Sequence, residues 1–343
     1  MSPPPPRVSR LKDVARRAGV STATVSRILN ERGTASDEAR GRVLRAAQEL
    51  DYHPNWLARS LRGLRTNTIG LVLPDIENPF FTSVVKGVER AASARGWNVI
   101  LCNTDEDVGR EEALVRTLVE RKIDGLLLCP AAGPHAYMAR YLEHGLAVVT
   151  VNRALRDLPL AAVTSDNAGG AREGMHHLLA KGFRRLALIL GTPNLSTTQD
   201  RLAGCRKAAQ EFGLGPEDLL VRIGYGRTAQ GFAAALDCLD SQPGPQAIFA
   251  FNNLMAEAAL MAIRQRGLRC PEEIALLGFD DFRSAAALTP PLSVVEQNPI
   301  GMGAKAVEEL ARVIETGQPS QAVNLIPTRL VLRASCGCNA HPG

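Results

Sequence analysis

The chain has 343 residues, of which 45% are hydrophobic, 22% are charged and 4% are aromatic. This length suggests two or three folded units, and the composition argues against a globally disordered chain and against an all-β sandwich rich in core aromatics. No apolar run approaches the ~20 residues of a membrane span, and the start Met-Ser-Pro-Pro-Pro-Pro does not resemble a signal peptide. We therefore expect a cytoplasmic protein with no membrane partner.

Charge is distributed unevenly along the chain, although the net charge is only +5. Residues 1–67 contain thirteen Lys and Arg against six Asp and Glu, which gives +7 and leaves −2 for the remaining 276 residues. A basic surplus confined to the first fifth of the chain predicts a nucleic-acid-binding head on a nearly neutral body. A basic face that only contacts solvent is the alternative.

The seven cysteines are scattered along the chain and odd in number. No pair has the spacing of a metal site, and Cys336-Gly337-Cys338 is tighter than an ordinary structural zinc pair. We interpret them as reduced thiols of a cytosolic protein and expect no metal and no cofactor. A redox role for the terminal pair is the less favoured alternative. The cysteines are Cys102, Cys129, Cys205, Cys238, Cys270, Cys336 and Cys338.

The first 52 residues predict a small helical unit behind a disordered tail, residues 1–9, that contains a proline run. Apolar residues recur at helical spacing from residue 10 to residue 52, with breaks at Gly19 and at residues 30–34. Three short helices are therefore expected. Their apolar stripes are Val14, Ala15 and Ala18; Val25, Ile28 and Leu29; and Val43, Leu44, Ala47 and Leu50.

Within this unit, the segment VARRAGVSTATVSRILN, residues 14–30, has the pattern of a helix-turn-helix. Ala15 is small where two helices approach, Gly19 permits the positive φ of the turn, and Val25 packs the second helix on the first. Ser21 is expected to cap the second helix through its hydroxyl. A plain three-helix bundle without DNA binding is the alternative.

Residues 53–66 predict a hinge helix or linker, because Pro54 stops helix continuation before the short polar and basic stretch 55–62. Leu61 is an isolated leucine on this stretch, with little core to enter. An isolated helix of this length is marginal in water, so the hinge is expected to switch between order and disorder. The alternative is that Leu61 packs against the folded part of the chain that follows the hinge.

From residue 67 onward, short apolar runs alternate with amphipathic helices, which predicts parallel sheets covered on both faces. About ten strands are expected, which is more than a single sheet usually contains, so two similar lobes are predicted. The expected fold class is therefore α plus α/β. A three-helix helix-turn-helix head and a hinge helix precede a two-lobed α/β body with parallel sheets.

Several stretches resemble the lac-repressor (LacI/GalR) family of bacterial transcription regulators. In the head and hinge these are DVARRAGVSTATVSRILN and YHPNWLARSLRG. In the body they include IGLVLPDIENPFF, VTSDNAGGA, HLLAKGFRRLALILG, FAFNNLMA and PPLSVVEQ, so the resemblance covers nearly the whole chain. It implies a repressor of a carbohydrate-utilisation operon that acts in the cytoplasm on the nucleoid, as a homodimer on a pseudo-palindromic operator. We expect a dimer and not a tetramer, because the sequence shows no sustained leucine heptad tail.

The resemblance also implies a domain layout and a set of DNA contacts. A periplasmic-binding-protein-like sensor would span residues 67–340, with one lobe at about 67–167 and 297–327 and the other at about 168–296 and 328–340. Thr22, Ala23 and Arg27 would face base edges, while Ser21, Thr24 and Ser26 would contact phosphates. In the hinge, Asn55, Ala58 and Arg59 would face the groove or its phosphates, and Leu61 would wedge into a minor-groove step.

For the small-molecule effector, the resemblance implies a polyhydroxylated ligand between the lobes. The aromatic rings would face its C–H surfaces, and the polar side chains would bind its hydroxyls. Where the family often has acidic residues, this chain has Asn152 and Asn253, so a sugar acid or sugar phosphate is as plausible as a neutral sugar, with paired arginines as anion partners. The candidates are Phe80, Phe81, Asp105, Asn152, Arg153, Arg201, Asn252, Asp280 and Gln297.

Other functional classes find little support in the sequence. It contains no GxxxxGK phosphate loop and no GxSxG elbow, and His176-His177 is expected on a partly exposed helix face, so we predict no enzyme. A transport-type sugar-binding protein would need a secretion signal and no basic head. The regulatory sign stays open between an inducer, a corepressor, and an activating regulator with a non-sugar ligand.

Overall fold

The computed structural model describes residues 11–29, 36–50, 65–318 and 321–338. Its contacts fall into two compact units, residues 1–66 and residues 67–343. Four residues with expected DNA contacts, Asn55, Ala58, Arg59 and Leu61, lie outside the described residues, as does the predicted hinge helix.

The first unit contains the three expected helices, α1 (Leu11–Ala18), α2 (Thr22–Leu29) and α3 (Asp37–Glu49). Gly19 has a φ of +66°, the left-handed conformation that lets the chain turn sharply between α1 and α2. Val14, Val25 and Val43 are fully buried where the helices meet. The prediction that Leu44 belongs to this core is wrong, since its side chain is 52% exposed. Each residue advances about 100° around a helix, so the next position after Val43 faces solvent.

The second unit begins with a six-stranded sheet whose paired strands are all parallel, in the order β11-β5-β4-β3-β1-β2. Its central strands β1, β3, β4 and β5 are almost entirely buried, as expected for a parallel sheet with helices on both faces. Its strands are β1 (Thr68–Leu73), β2 (Asn98–Asn103), β3 (Gly125–Leu128), β4 (Ala147–Val151), β5 (Ala161–Ser165) and β11 (Val323–Ile326).

A second six-stranded sheet has the matching order β12-β10-β9-β8-β6-β7. All its pairs are parallel except β10 with β12, which is antiparallel. We call the parts built on the two sheets lobe A and lobe B. The chain passes between them after β5, β10 and β11. The strands of lobe B are β6 (Leu186–Leu190), β7 (Leu219–Ile223), β8 (Ala247–Ala250), β9 (Ala275–Phe279), β10 (Ser293–Glu296) and β12 (Arg329–Val331).

Helices cover both sheets. Lobe A carries α4 (Pro79–Ser93), α5 (Val108–Glu120), α6 (Met138–Glu143) and α11 (Pro299–Thr316). Lobe B carries α7 (Asn167–Ala180), α8 (Ser196–Glu211), α9 (Thr228–Leu239) and α10 (Asn253–Gln265). The predicted fold class, helical at the N-terminus and then a two-lobed α/β body, is confirmed for the described residues. None of the helices described here has the length and apolar character required to span a bilayer.

Helices α4 and α11 approach closely because two glycines face each other across their contact. A Cβ on Gly87 would collide with the backbone carbonyl of Ile300, and a Cβ on Gly303 would collide with the carbonyl of Val84. In both cases the obstacle is backbone, which cannot move aside as a flexible side chain would. Glycine is therefore required at this crossing.

We predict that Gly87→Ala lowers the free energy of unfolding of residues 67–343 by about 1–3 kcal/mol, because the extra methyl group overpacks a backbone contact. Urea unfolding followed by circular dichroism measures the effect. Gly41→Ala in α3 is the control: its Cβ meets nothing within 4 Å, so it should raise helix stability by roughly 0.5–1 kcal/mol. A Gly87→Ala protein as stable as the wild type would contradict the close crossing.

Candidate functional site

A cavity of about 480 Å³ lies between lobe A and lobe B, at the ends where the parallel strands of each sheet terminate. In open parallel sheets the loops after the strands meet at this edge, and ligands bind there. All nine candidate ligand residues line this cavity, although their binding of a ligand stays a prediction. They are Phe80, Phe81, Asp105, Asn152, Arg153, Arg201, Asn252, Asp280 and Gln297.

The aromatic wall of the cavity is set by the first turn of α4. Asn78 caps this helix, its Oδ1 accepting a hydrogen bond from the backbone N–H of Phe80 at 3.0 Å, and Pro79 follows at the first helical position. Phe80 and Phe81 are both buried, and their rings meet edge to face with centroids 5.2 Å apart. The helix cap thus fixes two rings at the cavity wall.

Arg153 forms a two-pronged ion pair with Glu106, a residue that sequence reasoning missed. Its Nη1 donates to Oε2 at 2.8 Å and its Nη2 donates to Oε1 at 2.6 Å. Nη1 also donates to the Pro130 carbonyl at 2.8 Å. Burial opposes the charge on Arg153, but the surrounding negative groups, chiefly Glu106, together raise the pKa of Arg153 above the ordinary arginine value.

Asp105, the candidate next to Glu106, has a different environment. Its carboxylate accepts from the Asn103 Nδ2 at 2.5 Å and from Arg110, and its side chain is 60% exposed. Its backbone carbonyl accepts from Nη2 of Arg227 in lobe B at 3.0 Å. Both Asp105 and Glu106 have positive φ. The signal in the sequence that could have identified Glu106 is its position next to the candidate Asp105, in the loop after β2.

In lobe B, Arg201 is the centre of a buried polar group. Its Nε donates to Oδ1 of Asn167 at 2.7 Å, its Nη1 donates to the Phe251 carbonyl, and its Nη2 lies 3.8 Å from Oδ1 of Asp280. Its guanidinium stands 3.6 Å from the centroid of the Phe279 ring. Burial lowers the pKa of Arg201 to about 10, with Asp280 acting in the opposite direction, so the group stays charged at neutral pH.

Asp280 follows β9 directly and has a φ of +72°. Burial raises its pKa, while Arg201 and a hydrogen bond from Nε2 of Gln297 act to lower it. Asn252 caps α10, its Oδ1 accepting from the N–H of Met255 at 2.8 Å and its Nδ2 donating to the Gly226 carbonyl at 2.9 Å. Asn252 therefore positions the loop as well as lining the cavity.

Several buried polar atoms at the cavity have no hydrogen-bond partner among the described residues. They are Oδ1 of Asn152, Nε of Arg153 and Oε1 of Gln297, and all three residues are candidates from the sequence. Buried polar atoms are paired in the great majority of cases. The residues of the lining therefore include two acceptors and one donor that have no partner among the described residues.

The two lobes are held at their present separation by a small set of polar contacts. The Nδ2 of Asn253 donates to Oδ1 of Asn78 at 3.0 Å, and the N–H of Ala154 donates to Oγ of Ser196 at 2.9 Å. Arg156 reaches across to Gln199 at 3.2 Å and to Asp200. Opening the cavity must break these bonds, so they set the energy of lobe separation.

The charges that line the cavity sum to a small acidic excess. Both buried arginines are already engaged by carboxylates, Arg153 by Glu106 and Arg201 by Asp280. That these arginines hold an anionic ligand as a pair stays a prediction. The lining contains five carboxylates and three guanidiniums, namely Asp75, Glu77, Asp105, Glu106 and Asp280 against Arg153, Arg201 and Arg227.

In the head, Ser21 caps α2 as predicted, its Oγ accepting from the N–H of Thr24 at 3.1 Å. Thr22, Ala23 and Arg27 are exposed, whereas Val25 is buried. Oγ1 of Thr24 lies 2.9 Å from Oγ of Ser21. The side chain of Ser26 is outside the described set. The solvent-facing side of α2 thus carries the three residues expected to face base edges.

Comparison with known proteins identifies both parts of the chain. Residues 10–55 match the family model described as bacterial regulatory proteins, lacI family. Residues 66–334 match the model described as periplasmic binding proteins and sugar binding domain of LacI family. The chain belongs to the LacI family of bacterial regulators. The resemblance stated from the sequence is thereby confirmed.

Full-length relatives support the same assignment. The chain is 34% identical over 326 residues to the transcriptional regulator DegA of Bacillus subtilis, covering 94% of this chain and 96% of that protein. It is 35% identical over 328 residues to a ribose operon repressor of Halalkalibacterium halodurans, covering 95% and 96%. The LacI-family chain is therefore a DNA-binding transcription regulator with a sensor domain of the sugar-binding type, and it is not an enzyme.

Solved structures share the whole fold. The lac repressor dimer bound to operator and an anti-inducer superposes with a TM-score of 0.84 at 26% identity, covering 96% of this chain and 99% of that chain. A complex of the regulator CelR with cellobiose superposes with a TM-score of 0.73 at 32% identity, covering 95% and 99%. Both structures thus match this chain over nearly its whole length.

We predict that Glu106→Gln lowers the free energy of unfolding of the sensor by about 1–3 kcal/mol, because the largely buried Arg153 loses its charged partner. Asp105→Asn is the matched control in the same loop; its exposed carboxylate should change stability by no more than about 0.5 kcal/mol. Thermal and urea unfolding of both variants measures the difference. Equal losses of unfolding free energy in the two variants would show that the Glu106–Arg153 pair stabilises the sensor no more than an exposed carboxylate does.

Proposed function

We propose that this LacI-family regulator represses a carbohydrate-utilisation operon and that a neutral sugar, bound between lobe A and lobe B, controls its affinity for the operator. The observation that carries the proposal is the lining of the cavity. Three buried polar atoms without partners stand near a pair of aromatic rings. Hydroxyl groups satisfy such atoms, and the C–H faces of a sugar pack on such rings.

The charge of the cavity supports a neutral ligand over a sugar acid or a sugar phosphate. Each buried arginine has a carboxylate partner within the chain, and the lining carries more acidic than basic groups. An anion would add negative charge to a lining that already contains more carboxylates than guanidiniums. Among the relatives, the repressors of Halalkalibacterium halodurans and Escherichia coli K12 are named for the ribose operon, and CelR is bound to cellobiose.

The proposed mechanism couples the ligand to DNA through lobe closure. The proposed ligand contacts Arg153 in lobe A and Asp280 in lobe B, so it stabilises one separation of the lobes over another. In a homodimer acting in the cytoplasm, that change alters whether the two hinge segments, residues 53–66, pair on the operator. Coupling of this kind is reciprocal, so operator binding changes ligand affinity by the same factor.

We predict that Arg27→Ala weakens binding to operator DNA by about 5–150-fold for each half-site, because a bidentate arginine–guanine contact contributes roughly 1–3 kcal/mol. Fluorescence anisotropy with the DNA upstream of the protein's own gene, at low and high salt, measures the loss. Arg45→Ala removes the same charge from the exposed surface of α3 and should weaken binding far less.

The same assay with Leu61→Ala tests the proposed minor-groove wedge. Full operator affinity in that variant would reject the wedge. Equal affinity of the wild-type protein for operator and unrelated DNA at both salt concentrations would contradict sequence-specific regulation itself.

We predict that calorimetry detects binding of a neutral sugar from a panel with ribose and cellobiose, and that the bound sugar weakens the operator complex. Asp280→Asn should lower sugar affinity by at least about tenfold, since hydrogen bonds to charged groups contribute about 1.5–3 kcal/mol, and should leave operator binding intact. Asp237→Asn, on the exposed surface of lobe B, is the control.

Three outcomes would contradict parts of this proposal. Binding of sugar acids or sugar phosphates alone would reject the neutral ligand. A sugar that strengthens the operator complex would make it a corepressor. Sugar affinity unchanged in Asp280→Asn would remove the cavity as its site.

A further inference from the structure

A cluster of three side chains of the types that can bind a metal ion lies in lobe B, apart from the residues that line the cavity. His177 in α7 stands next to Cys336 and Cys338 near the end of the described chain. The Nε2 of His177 is 3.4 Å from Sγ of Cys336 and 3.6 Å from Sγ of Cys338. The two sulfur atoms are 3.6 Å apart. Three soft donor atoms thus meet at one point.

These three separations are those of a tetrahedral metal site. With zinc–sulfur bonds of about 2.3 Å and a zinc–nitrogen bond of about 2.0–2.1 Å, tetrahedral angles place the two sulfurs about 3.8 Å apart and each sulfur about 3.6 Å from the nitrogen. The separations between the donor atoms in this structure, 3.6, 3.4 and 3.6 Å, all agree with these values within about 0.2 Å, the tolerance expected of a metal site.

The local backbone explains why both sulfurs face the histidine. Gly337 has a φ of +76°, a left-handed conformation that folds the chain tightly between the two cysteines. The Nζ of Lys181, one turn beyond His177, donates to the Gly337 carbonyl at 2.9 Å and holds this loop against α7. Cys336 is buried and touches Oγ of Ser293 at 3.1 Å, whereas Cys338 and His177 are partly exposed.

We propose that His177, Cys336 and Cys338 form a zinc site that fastens the C-terminal segment to α7. Thiolate and imidazole ligands select Zn²⁺ or Cu⁺ among common metals, and the tetrahedral separations favour Zn²⁺. Two thiolates balance the charge of the ion, and three protein ligands leave one coordination position for water or a further donor.

The sequence alone argued against this site because the two cysteines are too close to form an ordinary structural pair. The third ligand lies 159 positions earlier than Cys336, and only the fold brings it near. A Cys336–Cys338 disulfide is the competing use of the same sulfurs. It needs a bond of about 2.05 Å, much shorter than the present separation of 3.6 Å.

Titration of the reduced full-length protein with Co²⁺ tests the site directly, because tetrahedral cobalt thiolates absorb strongly. We expect saturation at one equivalent per chain, with thiolate-to-metal charge-transfer bands in the near ultraviolet and the visible bands of tetrahedral cobalt. Zn²⁺ should displace the cobalt. Added Zn²⁺ should also raise the thermal unfolding midpoint of the wild-type protein.

Cys338→Ser and His177→Gln each remove one ligand at a partly exposed position, so the variants should fold. Each should lower Zn²⁺ affinity, measured by competition with a chromophoric chelator, by more than the roughly 10–100-fold that loss of an outer-shell partner causes. His176→Gln and Cys102→Ser are matched controls outside the cluster and should keep wild-type affinity.

The proposal is overturned by absence of tetrahedral cobalt bands, by tight Zn²⁺ binding that survives in both ligand variants, or by Cu⁺ binding without Zn²⁺ binding. A Cys336–Cys338 disulfide that persists under reducing conditions would overturn it as well. None of these outcomes depends on whether a sugar binds the cavity, because the zinc ligands are separate from its lining.

Discussion

The charge on Arg201 is the constraint around which lobe B is arranged. A guanidinium buried to this extent is stable only if several groups surround it. Its partners come from three places in the chain: the first residue of α7, the carbonyl after β8, and the ring and carboxylate at the end of β9. Satisfying one charge therefore fixes the mutual position of three elements, and with it the lobe B side of the cavity.

Lobe A satisfies its own buried arginine in the same way, through Glu106 and the Pro130 carbonyl. Because the buried ion pairs of Arg153 and Arg201 each stay within one lobe, the contacts between lobes among the described residues are two neutral hydrogen bonds and the exposed contacts of Arg156 and Arg227. Neutral hydrogen bonds contribute about 0.5–1.5 kcal/mol each, and exposed pairs about 0–1 kcal/mol. The lobes are thus internally rigid and only weakly tied to each other, which is what a ligand-controlled hinge requires.

Sequence reasoning predicted the parts of this arrangement that depend on local order. Strand–helix alternation predicted the two-lobed body. Asn152 and Asp280, which the family resemblance implied as ligand residues, directly follow buried strands and line the cavity. It missed Glu106, whose partner is 47 positions away, and the convergence of His177 with Cys336 across 159 positions. Periodicity reports which face of an element is buried. It contains no information about which distant side chain meets that face.

Whether each polar group of the lining is already paired decides which ligands the cavity can distinguish. The charges at Arg153 and Arg201 are already balanced, whereas atoms such as Oδ1 of Asn152 and Oε1 of Gln297 are not paired among the described residues. An anion would gain little from balanced guanidiniums and would lose its own hydration, which is large for a charged group. A neutral hydroxyl loses less hydration and supplies the missing bond. Selectivity between ligands should therefore follow the number and position of hydroxyl groups.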